Sequence, residues 1–187
     1  LYFPAVDGPI SVTGGSVSGR TYGFRTLAIG ATGSVAVRDT VVSSTTQNAV
    51  SFASTVAGTV TIRGATISCG AVAAAAMTFD LAVTVPVTIS NTAVSGAFDG
   101  VNFADVQTSI NLDQVDIAAG GSGVGLNFAA TTAATISVNG GTVTATGLAI
   151  SMVGTVDSLT TLTLAGTTVS SAAENALHTA AVDGTIL

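Results

Sequence analysis

Apolar residues alternate with small polar ones along the whole chain, in short runs that return at a regular distance. The clearest copy is Val87 to Phe103, where Val87-Thr-Ile89 and Val101-Asn-Phe103 flank a turn of small residues and a Gly-containing loop. The apolar-x-apolar opening recurs at Ile10/Val12, Val35/Val37, Val60/Ile62, Val87/Ile89, Ile110/Leu112, Ile136/Val138 and Leu162/Leu164. Successive first anchors lie 25, 25, 27, 23, 26 and 26 residues apart. A fixed period of this size marks a solenoid.

Four positions after each first anchor stand Gly14, Asp39, Gly64, Asn91, Gln114, Gly140 and Gly166. Gly and Asn accept the positive φ of a tight turn, so these positions are expected to be corners. Three residues further on comes another apolar residue: Val17, Val42, Ile67, Val94, Ile117, Val143 and Val169. Each repeat therefore predicts a strand, a one-residue corner and a second strand.

A third strand is predicted after a loop of variable length. It reads apolar-x-Phe at Val50–Phe52, Met77–Phe79, Val101–Phe103 and Leu126–Phe128, and softens to Leu148-Ala-Ile150 and Leu177-His-Thr179. Leu1-Tyr2-Phe3 fits the same pattern. Alternation places the outer two residues of such a run on one face and the middle one on the other. Stacked coils are thus expected to build a core ladder from Phe3, Phe52, Phe79, Phe103, Phe128 and Ile150. The register near Phe24 to Leu27 is ambiguous. Val, Ile, Thr, Ser and Gly dominate the chain and favour strand and turn over helix.

The fold class expected is all-β: a parallel β-solenoid of about seven coils of about 25 residues, with three short strands in each. At about 4.8 Å per coil this is a rod of roughly 34 Å. No linker or composition shift interrupts it, so residues 1–187 read as one domain that starts and stops part-way through a coil. Ala181-Val-Asp-Gly-Thr-Ile186 repeats Ala5-Val-Asp-Gly-Pro-Ile10 at five of six positions, as a further coil would. The chain does not open on Met, which fits a processed chain or a piece of a longer one.

Charge narrows the partners. Only 7% of residues are charged, against about 25% in ordinary soluble domains. Four Arg, no Lys and ten acidic residues give a net charge of −6, which argues against nucleic acid as a ligand. The arginines (Arg20, Arg25, Arg38 and Arg63) all precede residue 64. The longest apolar run, Ala71 to Met77, falls far short of the roughly 18 residues of a membrane helix. Cys69 is alone and has no internal disulfide partner.

The block Val-Thr-Ile-x-(Asn/Gly)-x-x-Val-Ser and its variants at 60–68, 87–95 and 136–144, followed by Gly-apolar-Asn-Phe at 100–103 and 125–128, resembles the right-handed parallel β-helix. Pectate-lyase-like proteins and autotransporter passenger domains are built this way. That group includes carbohydrate-active enzymes, adhesins, tailspikes and structural surface proteins, and a shared fold does not select among them. For a lyase, the resemblance implies clustered carboxylates holding Ca²⁺ and an Arg or Lys base. The nearest carboxylates, Asp99, Asp105, Asp113 and Asp116, spread over two coils, whereas Ca²⁺ takes about six to eight oxygens in one place. They read as solvated turn residues, and neither a metal nor a cofactor is expected. A polygalacturonase-type hydrolase implies paired Asp beside a His-Gly, but His178 is the sole histidine and reads as a surface residue.

The outward row of the first strand is Ser11, Ala36, Thr61, Thr88, Asn111, Ser137 and Thr163, small and mostly hydroxylated. With no convergent catalytic group, the expectation is a non-enzymatic extracellular structural solenoid. It would be a segment or subunit of a surface fibre, partnered by copies of itself stacked head to tail or by the rest of a longer solenoid. The alternative is an adhesin or passenger segment that binds glycan or protein through its variable loops. A polysaccharide lyase is the third reading, with Asp113 and Asp116 as the residues to mutate.

Overall fold

A computed structural model describes residues 1–131, 134–153, 160–179 and 185–186. The chain is a parallel β-solenoid of about seven turns, consistent with a right-handed β-helix repeat. No helix occurs among the described residues. Every strand pairs in parallel with the strand one coil before or after it. An eight-stranded sheet carries the third strands, from Tyr2–Phe3 through Met77–Val83 to Leu177–Thr179. A twelve-stranded sheet carries the first and second strands. The sequence repeat at 181–186 lies largely outside the described residues. Only Thr185–Ile186 is seen, as a strand on Thr161–Ala165.

Alternation dictates which side chains enter the core. In Val87–Gly96 the residues Val87, Ile89 and Val94 are buried, while their polar neighbours Thr88 and Ser95 face outward. The corners make the chain turn without breaking the ladder. All seven have positive φ: Gly14, Asp39, Gly64, Asn91, Gln114, Gly140 and Gly166. In Val87–Gly96, Ser109–Ala119 and Thr135–Ala145 the ladder runs on through the corner, so the two expected strands form one bent strand. Just inside the corner, Thr40 and Thr92 are buried. Their hydroxyls donate to the carbonyls of Arg38 at 2.7 Å and Ser90 at 2.8 Å, which also accept the corner amides of Gly14 and Gly64 from the adjoining coil.

Gln114 is the corner least suited to its conformation, at φ 53° with a long side chain and no local hydrogen-bonding habit. Relieving that strain outweighs the extra freedom of an unfolded glycine. Gln114→Gly is therefore expected to stabilise the fold by roughly 0.5 kcal/mol, seen as a small rise in the thermal midpoint. A fall would mean that the Gln114 side chain, which lies over Gly140, contributes more by packing than its backbone costs.

The core ladder is largely aromatic. Phe52, Phe79, Phe103 and Phe128 are in register, with ring centroids 4.6, 4.6 and 5.3 Å apart and nearly parallel planes. Phe3 shares this register through Thr26, and Phe24 leans in from the adjacent Val50 column to sit 5.6 Å from Phe3 and 6.1 Å from Phe52. Ile150 is a correction. It pairs with Leu126 in the neighbouring column, and Met152 takes the place over Phe128. Both columns face the core, so a slip of two residues leaves every side chain on its own face and alternation alone does not choose the register. The strand Ile150–Met152 repeats the pattern of Val50–Phe52, while Leu148 is left half-buried in the loop.

A fourth column closes each coil. Val6, Ile29, Val56, Val83, Val106 and Thr131 bridge one to the next, and all are buried. Thr131 is the last of this series among the described residues, and its hydroxyl meets no hydrogen-bond partner among them.

Candidate functional site

The outward face of the eight-stranded sheet is where the surface becomes concave. Its middle column runs Tyr2, Arg25, Ser51, Thr78, Asn102, Asn127, Ser151 and His178. Ser51, Thr78 and Ser151 are buried in this column, where alternation alone would leave them in solvent, and the loop residue Asn48 lies against Thr78.

The loops that enter these strands are held by short-range chemistry. The Cys69 thiol donates to the carbonyl of Gln47 at 3.0 Å, and the Ser44 hydroxyl donates to the same oxygen. The free thiol is buried, where it acts as a loop tie. Asp99 Oδ1 accepts the Val124 amide at 2.7 Å, linking consecutive coils. Gly96 has no room for a Cβ, because the carbonyl of Asp99 turns back over it.

Between the loops and the sheet lies a cleft of about 470 Å³, lined by Thr46, Gln47, Asn48, Ala73, Ala74, Ala75, Thr78, Asp99 and Asn102. Asn48 Nδ2 donates to Thr78 Oγ1 at 3.1 Å, and Asn127 Nδ2 donates to Asn102 Oδ1 at 2.9 Å. These bonds fix the amides facing the cleft. Burial raises the pKa of Asp99 above its ordinary value, and the Val124 N–H offsets part of the effect. The cleft thus offers amide donors and acceptors, hydroxyls and one half-buried carboxylate, a set suited to holding a polar ligand.

The four carboxylates considered from the sequence do not converge. Asp99 lines the cleft. Asp105 accepts from Gln107 Nε2 at 2.6 Å, where the third strand continues toward the next coil. Asp113 and Asp116 flank the Gln114 corner in the other sheet, and Asp116 accepts from the Thr142 hydroxyl at 2.9 Å. Among the described residues no group of three or more His, Cys, Asp or Glu is placed to hold a metal ion. His178 is half-buried beside Ser151 in the outward column. The row Ser11, Ala36, Thr61, Thr88, Asn111, Ser137 and Thr163 forms a continuous outward column on the larger sheet. The cleft residues Gln47, Asn48 and Asn102 were not singled out by their sequence. The available signal was loop length, since the loops at 70–76 and 97–100 border the cleft and differ in span.

No protein-family model, no curated protein and no solved structure matches this chain. The pectate-lyase-like resemblance accordingly stands on architecture alone.

Proposed function

We propose that the chain is a non-enzymatic structural β-solenoid, a stiff segment or subunit of an extracellular surface fibre whose length is built by stacking coils. The observation that carries this reading is the unbroken core. The same inward columns, including the stacked phenylalanines, continue from coil to coil, so each coil is the complement of the next. A rod of this kind resists bending because every bend would open parallel ladders and shear a close-packed core. Its low charge leaves few groups to oppose association along its edges.

Electron microscopy of the native material tests this. A continuous rod with a layer line near the strand spacing of about 4.8 Å, and an axial repeat of roughly 34 Å where copies of the chain stack, is the expected result. Isolated short particles at every concentration would overturn it.

The second reading, a passenger or adhesin segment, is favoured by the polar cleft at the loop face. Loops on a rigid scaffold are a common seat of binding. Saturable binding of a neutral glycan or a protein that is lost in Asn102→Ala would support it over the fibre.

A further inference from the structure

The first strands of the larger sheet turn three columns of side chains outward. Two of these columns hold only short, uncharged side chains, and one of the two is the row from Ser11 to Thr163. The third, next to the corners, runs Thr13, Arg38, Arg63, Ser90, Asp113 and Asn139. Among the described residues, it carries all the charge on these outward positions. Arg38, Arg63 and Asp113 are exposed.

The order of these charges is what matters. Arg38 and Arg63 are register partners, so two like charges stand one strand spacing apart, about 4.8 Å. Such a pair destabilises the sheet unless an anion joins it. Asp39 stands at the corner beside the pair with its carboxylate over Gly64, and leaves the pair one positive charge in excess. Ser90 is in register with Arg63 on one side and with Asp113 on the other. Opposite charges thus lie one coil to either side of Ser90. Such a column is complementary to itself turned end for end.

Two copies laid face to face by a two-fold axis have two simple arrangements. An axis along the rods exchanges the edges of the face and sets the charged column over a neutral one. An axis along the strand direction, at the level of Ser90, reverses one rod and sets the charged column over itself. Asp113 of each copy then meets the Arg38–Arg63 pair of the other, and Ser90 meets Ser90. No like charges are opposed nearby. Asp39 comes level with the Gly140 corner, and Asp116 with Thr66, the residue one coil on the other side of Ala93.

We propose that a second copy of this chain docks on this face in antiparallel orientation, with Asp113 of each copy set against the Arg38–Arg63 pair of the other. The charges fix direction and register, and the short side chains of the neutral columns let the two sheets approach. Three outward positions per strand over about seven coils span roughly 13 by 34 Å, so the pair buries about 900 Å² in total. That is the low end of specific contacts, and the isolated dimer has a dissociation constant on the order of hundreds of micromolar. The contact does not rest on end-to-end stacking. Where coils do stack into longer rods, many such contacts act together and hold the rods side by side.

Analytical sedimentation of the whole chain over a range of concentrations is the test. The unaltered chain is expected to form a reversible, compact dimer that dissociates as salt rises. Arg63→Asp and Asp113→Arg each oppose like charges, and each is expected to weaken dimerisation roughly tenfold or more. Mixed in equal amounts, the two variants present opposite charges at both contacts again and are expected to pair about as well as the unaltered chain. These side chains are exposed, so the variants should keep the fold, which circular dichroism checks. Should a reversal not fold, Arg63→Gln and Asp113→Asn carry the same test through a smaller loss. Stacking at the ends alone gives a pair twice as long that is indifferent to these reversals. That result, a chain that stays monomeric at every concentration, or a mixture that pairs no better than its components would overturn the proposal.

Discussion

Cutting Phe103 back to alanine lowers the stability of the solenoid by about 3–5 kcal/mol, the largest loss expected from any single side chain here. Phe103 is fully buried, with Phe79 at 4.6 Å on one side and Phe128 at 5.3 Å on the other. The cost has two parts. Removing the ring forfeits its burial and leaves a cavity that strands paired on both sides cannot collapse into. It also breaks two stacked ring pairs, each contributing about 0.5–1.5 kcal/mol beyond burial. Coils interact mainly with their neighbours, so a defect at this coil uncouples the two halves of the rod. Denaturant unfolding followed by circular dichroism should show an earlier and broader transition. Phe98→Ala is the control, since that ring is half-buried in a loop and takes no part in the stack. Equal losses for Phe98→Ala and Phe103→Ala would mean that the ladder does not hold the core together.

Gly58→Ala is expected to be nearly as damaging, at about 3 kcal/mol, the upper end of the cost of overpacking. A methyl group on Gly58 would overlap the carbonyl oxygens of Gly30 and Gly33 and come within 2.6 Å of Ile29 Cγ2. Two of these obstacles are backbone atoms, and the Gly33 amide is bonded to the Gly30 carbonyl at 2.9 Å. Nothing nearby can move aside without opening the neighbouring coil. Gly70 also lies against the preceding coil, yet a methyl group there meets only the Ser44 carbonyl oxygen at 3.8 Å and Thr45 Cα at 3.9 Å, ordinary contact distances. Gly70→Ala should leave the thermal midpoint unchanged or slightly raised, since alanine restricts the unfolded chain. The difference between these two substitutions measures the coil-to-coil contact directly. If both variants melt alike, the close approach at Gly58 is not part of the folded state.

Some features of the site were legible in the residues and others were not. The Phe column followed from a spacing of one coil, because parallel in-register stacking must superpose equivalent positions. The corner at Gln114 followed from its spacing and not from its residue type, and the ladders above and below hold its bend in place. The fourth column left a faint trace, an apolar residue four positions before several anchors at Val6, Val56, Val83 and Val106. It was missed because a single buried residue per coil makes no alternating run. The cleft around Asp99 and Asn102 is made by residues of successive coils. Its lining residues lie far apart in sequence and carry no shared pattern.

By itself, the sequence determined the solenoid, its period, its parallel stacking and which faces turn inward. Strand alternation and a repeat of near-constant length leave no other way to bury these apolar residues. The tertiary structure alone decided the register of Ile150–Met152, the burial of Ser51, Thr78 and Ser151, and the cleft on the outward face. Each of these depends on which coil a side chain meets across the stack. That is a distance of one full turn, which local propensity and alternation do not reach.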